Sequence, residues 1–180
     1  MSSRERLSGP ANLGVWYFTD AMASGEAAQA AARIESLGYS TLWVPETVGR
    51  DPFTHLAWLG SQTKTLQFAT GIASIFSRHA GPMMQATNTL AEQLEGRFVS
   101  HEPMVAGLRK LDYSKPLTQM KAYLEAMDAS PYMAVPPTEK PLRLLAALGP
   151  KMLELSATAA DGAHPYFVTP EHTAEARAAI

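Results

Sequence analysis

Five histidines occur in the 180 residues, and three of them, His79, His101 and His164, follow closely on apolar runs. An imidazole titrates near neutral pH, so a histidine so placed can take up or give a proton during a reaction. Carboxylates stand at comparable places. Asp20 follows Leu13–Phe18, Glu46 follows Thr41–Val44, and Glu102 adjoins His101. These are the residue types of general acid–base chemistry. The alternative for each is a solvated loop side chain. Two further stretches could hold a ligand. Leu148-Gly149-Pro150-Lys151 joins an apolar run to a helical pattern. Gly149 lets the backbone come close to a ligand, Pro150 suits a first helical turn, and the free amides there favour an anion such as phosphate. The same residues also read as a simple tight turn. Thr70 to His79 runs from apolar residues into small ones, leaving room for a flat ligand.

Other chemistries lack their motifs. His101-Glu102 is followed by Pro-Met-Val, so HExxH fails and no metal site is predicted. There is no GxSxG, and Ser24, Ser74 and Ser100 read as caps or loop hydroxyls. Neither GxGxxG nor GxxxxGK[ST] occurs. Cysteine is absent, which excludes disulfides, thiolate metal sites and a cysteine nucleophile, and agrees with a cytoplasmic location. Fifteen Lys and Arg against 17 Asp and Glu leave a charge of −2, with no basic excess for nucleic acid. No run approaches the roughly 18 apolar residues of a membrane span. With 46% apolar and 18% charged residues, the composition is that of a globular chain able to build a core.

The elements that must position these residues alternate. Strands are predicted at 13–18, 41–45, 66–73, 143–148 and 163–168, with a rudimentary or displaced fourth strand supplied only by Phe98-Val99. Helices are predicted over 25–37, with Ser24 as N-cap and Gly38 as stop, and over 52–63, 82–95, 115–128, 151–160 and 169–180. Strand–helix alternation implies an α/β fold with a parallel sheet. A (β/α)8 barrel takes about 250 residues, so six units fall short of closure by about two. In such a barrel, function sits at the C-terminal ends of the strands, where Asp20, Glu46, Ser74, His101, Gly149 and His164 fall.

Ordered segments along the chain resemble the luciferase-like monooxygenase superfamily, in particular its deazaflavin (coenzyme F420)-dependent oxidoreductases of actinobacteria. They are Leu13-Gly-Val-Trp16, Glu35-Ser-Leu-Gly-Tyr-Ser-Thr-Leu-Trp-Val-Pro-Glu46, Ala69-Thr-Gly-Ile72, Arg78-His-Ala-Gly-Pro82 and Leu94-Glu-Gly-Arg-Phe98, then Leu145–Met152, Ala160-Asp-Gly-Ala163 and Pro170-Glu-His172. The resemblance implies a TIM barrel that holds coenzyme F420, in preference to flavin mononucleotide (FMN), at its C-terminal mouth. It implies a bulge with a non-prolyl cis peptide under the coenzyme ring near Gly71, Ile72, Ala73 and Ser74. It places the coenzyme phosphate at Leu148, Gly149 and Pro150, and Glu46 and His101 around ring or substrate. His101 would then be the proton donor or acceptor, and Glu46 its partner or a carboxylate that orients substrate.

The sequence departs from the family in two places. Phe98-Val99 meets Ser100-His101 directly, as if about four residues of a strand that needs roughly 4–6 were missing. The chain also stops where family members continue. The expectation is therefore a leader at 1–11 and a C-terminally truncated barrel domain at 12–180. Its activity would be hydride transfer between coenzyme and a small organic substrate, weak or absent in this chain, with self-association through open edges. The alternatives are a non-catalytic barrel fragment and a metal-dependent TIM-barrel hydrolase.

Overall fold

The computed structural model describes residues 13–102 and 114–180, so the leader expected at 1–11 lies outside the described residues. Six strands alternate with six helices among the described residues. The strands are β1 (Gly14–Trp16), β2 (Thr41–Val44), β3 (Gln67–Thr70), β4 (Phe98–Glu102), β5 (Leu142–Leu145) and β6 (Gly162–Ala163). The helices are α1 (Ser24–Ser36), α2 (Pro52–Ser61), α3 (Ala80–Gln93), α4 (Pro116–Ala129), α5 (Pro150–Ala159) and α6 (Pro170–Ala179). All strands lie in one sheet in chain order, and every neighbouring pair is parallel. The expected parallel α/β architecture is therefore present as an open, incomplete barrel.

The two faces of the sheet follow from strand alternation. Leu42, Val44, Phe68 and Phe98 point outward into the main core with Ala27, Phe53, Leu56, Met83 and Leu90 of α1 to α3. The intervening residues Trp43, Ala69 and Val99 form a second cluster on the inner face, joined by Trp16, Leu142 and Leu144. Strands covered on both faces read as continuous apolar runs, which is why β2 and β3 were legible. Buried polar groups hold the edges of this core. Arg97 donates to the carbonyls of Leu66 and Gly60, at 2.8 and 3.2 Å. One Glu35 oxygen accepts the amides of Lys64, Thr65 and Leu66 at 2.9, 2.6 and 2.8 Å, fixing the turn into β3.

Several expectations need correction. The fourth strand is neither rudimentary nor displaced. At five residues β4 is the longest of the described strands, paired to β3 on one side and β5 on the other. Ser100 and His101 look like a strand end because they are polar, yet both are buried within the ladder, at 1% exposure each. Thr70 ties the register there, its hydroxyl accepting from the His101 amide at 2.9 Å. No cis peptide occurs among the described residues. Instead the trans backbone after β3 carries on the ladder: Gly71 N donates to Val44 O, and Ala73 N donates to His101 O, each at 2.8 Å. Ala23, not Ser24, is the N-cap of α1, and Glu26 reaches back to its amide at 2.8 Å. The sixth strand is two residues long, Gly162–Ala163, and keeps only Ala163 of the six expected, since Pro165 cannot donate to a ladder.

Candidate functional site

At the C-terminal mouth the sheet curls strongly. Five spacings of about 4.8 Å would hold the first and sixth strands of a flat sheet about 24 Å apart. Here the ring of Trp16 on β1 lies 5.6 Å from that of Tyr166, which follows β6. Inside this curve, alternate strands contribute one layer of side chains, as in a closed barrel. Trp43 comes from β2, His101 from β4, and His164 from the residue after β6. The His101 and His164 rings lie 4.4 Å apart, and Trp43 is 4.5 Å from His164 and 6.2 Å from His101.

Both nitrogens of His101 and Nδ1 of His164 are buried without a hydrogen-bond partner. Burial depresses the basicity of His101 well below the ordinary imidazole range, and the neighbouring His164 lowers it further. Burial lowers His164 as well. Both rings are therefore neutral at neutral pH. A buried polar atom without a partner costs about 1–3 kcal/mol, so such a cluster is informative wherever it persists.

The other residues expected at the site separate into groups. The Glu46 side chain is buried but is not the partner of His101, whose ring makes no hydrogen bond. It accepts instead from the Ser74 amide at 3.0 Å and from Arg78 Nη1 at 2.7 Å. Arg78 also pairs with Asp51, stands 4.9 Å over the Phe53 ring, and takes the Tyr123 hydroxyl on its carbonyl at 2.8 Å. Burial works against the Arg78 charge, but Glu46 and Asp51 outweigh it and raise its basicity. Glu46 thus ties the ends of β2 and β3 together. Asp20 clips a neighbouring loop through Thr47 and the Arg50 amide, at 2.9 and 3.1 Å.

Gly71, Ala73 and Ser74 are buried and Ile72 is half-buried. The smallness of Gly71 has a local reason. A Cβ there would stand 3.0 Å from both the Trp16 and the Trp43 side chains, and Trp16 Nε1 donates to the Gly71 carbonyl at 2.5 Å. Leu148, Gly149 and Pro150 lie at the surface on the approach to α5, with Gly149 as its N-cap. A Cβ on Gly149 would meet nothing within 4 Å, so no side chain requires glycine there. His79 is the exposed N-cap of α3. Sequence reading missed Trp16, Trp43 and Tyr166 as walls of the site. Counting alternate residues on alternate strands from Trp43 would have found the Trp43–His101–His164 layer.

A family model described as luciferase-like monooxygenase matches residues 10–180. The chain belongs to the luciferase-like monooxygenase family. A curated protein of Mycobacterium tuberculosis, named as a coenzyme F420-dependent oxidoreductase, is 28% identical over 79% of this chain and 51% of its own length. Among solved structures, the coenzyme F420-dependent tetrahydromethanopterin reductase of Methanopyrus kandleri superposes with a TM-score of 0.79 at 14% identity, covering 95% of this chain and 60% of that one. The FMN-bound oxygenating component of 3,6-diketocamphane monooxygenase from Pseudomonas putida gives 0.66 at 16% identity, over 82% and 55%. These likenesses establish the fold as that of the luciferase-like barrels. The chain spans about half the length of the curated relative it matches.

The residues of this luciferase-like mouth fit a flat heteroaromatic coenzyme on the His101–His164 side. Three buried ring nitrogens lack partners there, and Trp43 offers an aromatic wall. On the Gly71 side the space is taken by the Trp16 indole, so a ring would rest against Trp16 and not on the glycine itself.

Proposed function

We propose that the chain acts as a deazaflavin- or flavin-dependent oxidoreductase, with coenzyme F420 preferred to FMN and a small organic molecule as second substrate. One observation carries the reading: two neutral, buried imidazoles, with three nitrogens that lack hydrogen-bond partners, lie side by side at the C-terminal ends of β4 and β6 of a luciferase-like half-barrel, where function in this architecture sits. The coenzyme, when bound, supplies hydride chemistry; the protein supplies position and electrostatics. His101 holds or gives a proton beside the reacting ring, and His164 completes the hydrogen bonding. Trp43 and Trp16 form the walls. Ala73 and Ser74 line the side next to β3, and the first amides of α5 after Gly149-Pro150 favour the phosphate end. Glu46 is a positioning residue, acting through Arg78 and the Ser74 amide.

The test is titration of the full chain with coenzyme F420 and, separately, FMN, followed by coenzyme absorbance. Saturable binding of F420 that His101→Asn weakens supports the reading. Binding of neither coenzyme overturns it. A second reading, binding without turnover, is favoured by the indole already seated over Gly71. Bound coenzyme that exchanges no hydride with any alcohol or aldehyde offered would select it. We further propose that the unpaired edges of β1 and β6 bring copies of the chain together.

A further inference from the structure

A cleft of about 580 Å3 runs along the inner face beside β6 and α6, within the roughly 300–1,000 Å3 of small-molecule sites. Its floor is Leu142, Leu144 and Trp43, and His164, Ala176 and Arg177 line it further. Three features of this lining point to one class of ligand. The floor is apolar and includes one flat aromatic side chain. His164 has a buried Nδ1 without a partner. Arg177 stands exposed at the edge of the cleft. Asp161 also borders the cleft, but its carboxylate accepts the Arg143 amide at 3.0 Å. The guanidinium is thus an exposed cation at the edge of an apolar trough, and a carboxylate is the group it binds with two parallel hydrogen bonds.

We propose that this cleft binds a small amphipathic carboxylate with a flat, apolar body. The body lies on Leu142, Leu144 and Trp43, and the carboxylate meets Arg177. The cleft opens beside the imidazole layer, so the end of the ligand near His164 reaches the mouth. The inference deepens the oxidoreductase reading, on which it rests only for naming this ligand as the substrate class.

The experiment uses the full chain without coenzyme and 2-naphthoate as probe, with 2-naphthamide as its neutral counterpart, both measured by calorimetry. Saturable binding of the acid is expected. Arg177→Gln should weaken the acid about tenfold, the loss of one charge-assisted contact at a partly exposed site, and change the amide less than twofold. The residue is exposed on a helix face, so the variant keeps the fold. Leu144→Trp, which fills the floor, should remove both ligands. Absence of acid binding overturns the proposal. So does equal weakening of acid and amide in Arg177→Gln, or a dimer of the chain that excludes the probe. Naphthoate binding in a chain that binds neither F420 nor FMN would refute the oxidoreductase reading and leave the cleft assignment standing.

Discussion

Acidification from pH 7.5 to 5 should destabilise the protein through its buried imidazoles. His101 and His164 both titrate below the ordinary histidine value because burial disfavours their charged forms. The unfolded chain takes up protons near the ordinary value of about 6.5. Below that, the unfolded state binds more protons than the folded one, so stability falls as pH falls. The stability is complete above about pH 6.5 and declines until the folded-state values are reached. The slope is about 1.4 kcal/mol per pH unit for each histidine that stays neutral in the fold. Over the roughly 1.5 units down to pH 5, a histidine that stayed neutral throughout would give about 2 kcal/mol; His101 supplies the larger share of the loss, and His164, which is less buried, adds a smaller amount. His55, also lowered by burial and by Arg50, acts in the same window. Depressed carboxylates such as Glu35 and Asp128 act in another: their contribution is present above the unfolded carboxylate range and is lost only as pH falls further. Urea denaturation at half-unit pH intervals measures the slope. His101→Leu should make it shallower, by at most about 1.4 kcal/mol per pH unit, and leave the rest. An unchanged slope in that variant would show that His101 is not buried neutral, and the argument for the imidazole layer would fall with it.

Glu35→Ala, which strips three backbone amides of a charged acceptor, should cost about 2 kcal/mol in urea denaturation, with the difference from the parent shrinking as both are acidified below about pH 4. Arg78→Met leaves the buried Glu46 carboxylate without its cation and should cost about 3 kcal/mol, whereas Glu46→Gln, which keeps an acceptor for Ser74, should cost less. Gly71→Val pushes on Trp16 and Trp43 at 3.0 Å and should cost about 1–3 kcal/mol and shift the tryptophan emission to longer wavelength, while Gly149→Val should leave stability within about 0.5 kcal/mol and not move the emission. Sedimentation over a range of concentrations should detect self-association of the chain, and a monomer at all concentrations would refute pairing through the β1 and β6 edges.

Local pattern alone was sufficient to place four of the strands, β1, β2, β3 and β5, and all six helices near their observed positions. β2 and β3 are short apolar runs between turn residues, and Pro52, Pro116, Pro150 and Pro170 mark first helical turns at four helices. The parallel order followed from alternation, because a strand and a helix of these lengths return the chain in only one way. The family was legible from ordered segments, none of which is decisive by itself. Site geometry was not. Polar Ser100 and His101 read as the end of a strand, since nothing local tells a buried polar residue from an exposed one; the pairing of β4 with both β3 and β5 decided it. Glu46 and His101 share the mouth in sequence terms, yet Arg78, thirty-two residues on from Glu46, takes the carboxylate, leaving the imidazole to His164. The Gly71 stretch reads as room for a ligand, and the curl of the sheet brings Trp16 into that room. Period and turn chemistry act over a few residues and are written in the chain. Which side chains meet across the mouth depends on sheet curvature and on the parity of alternate strands, properties that belong to all six strands together and to no single segment.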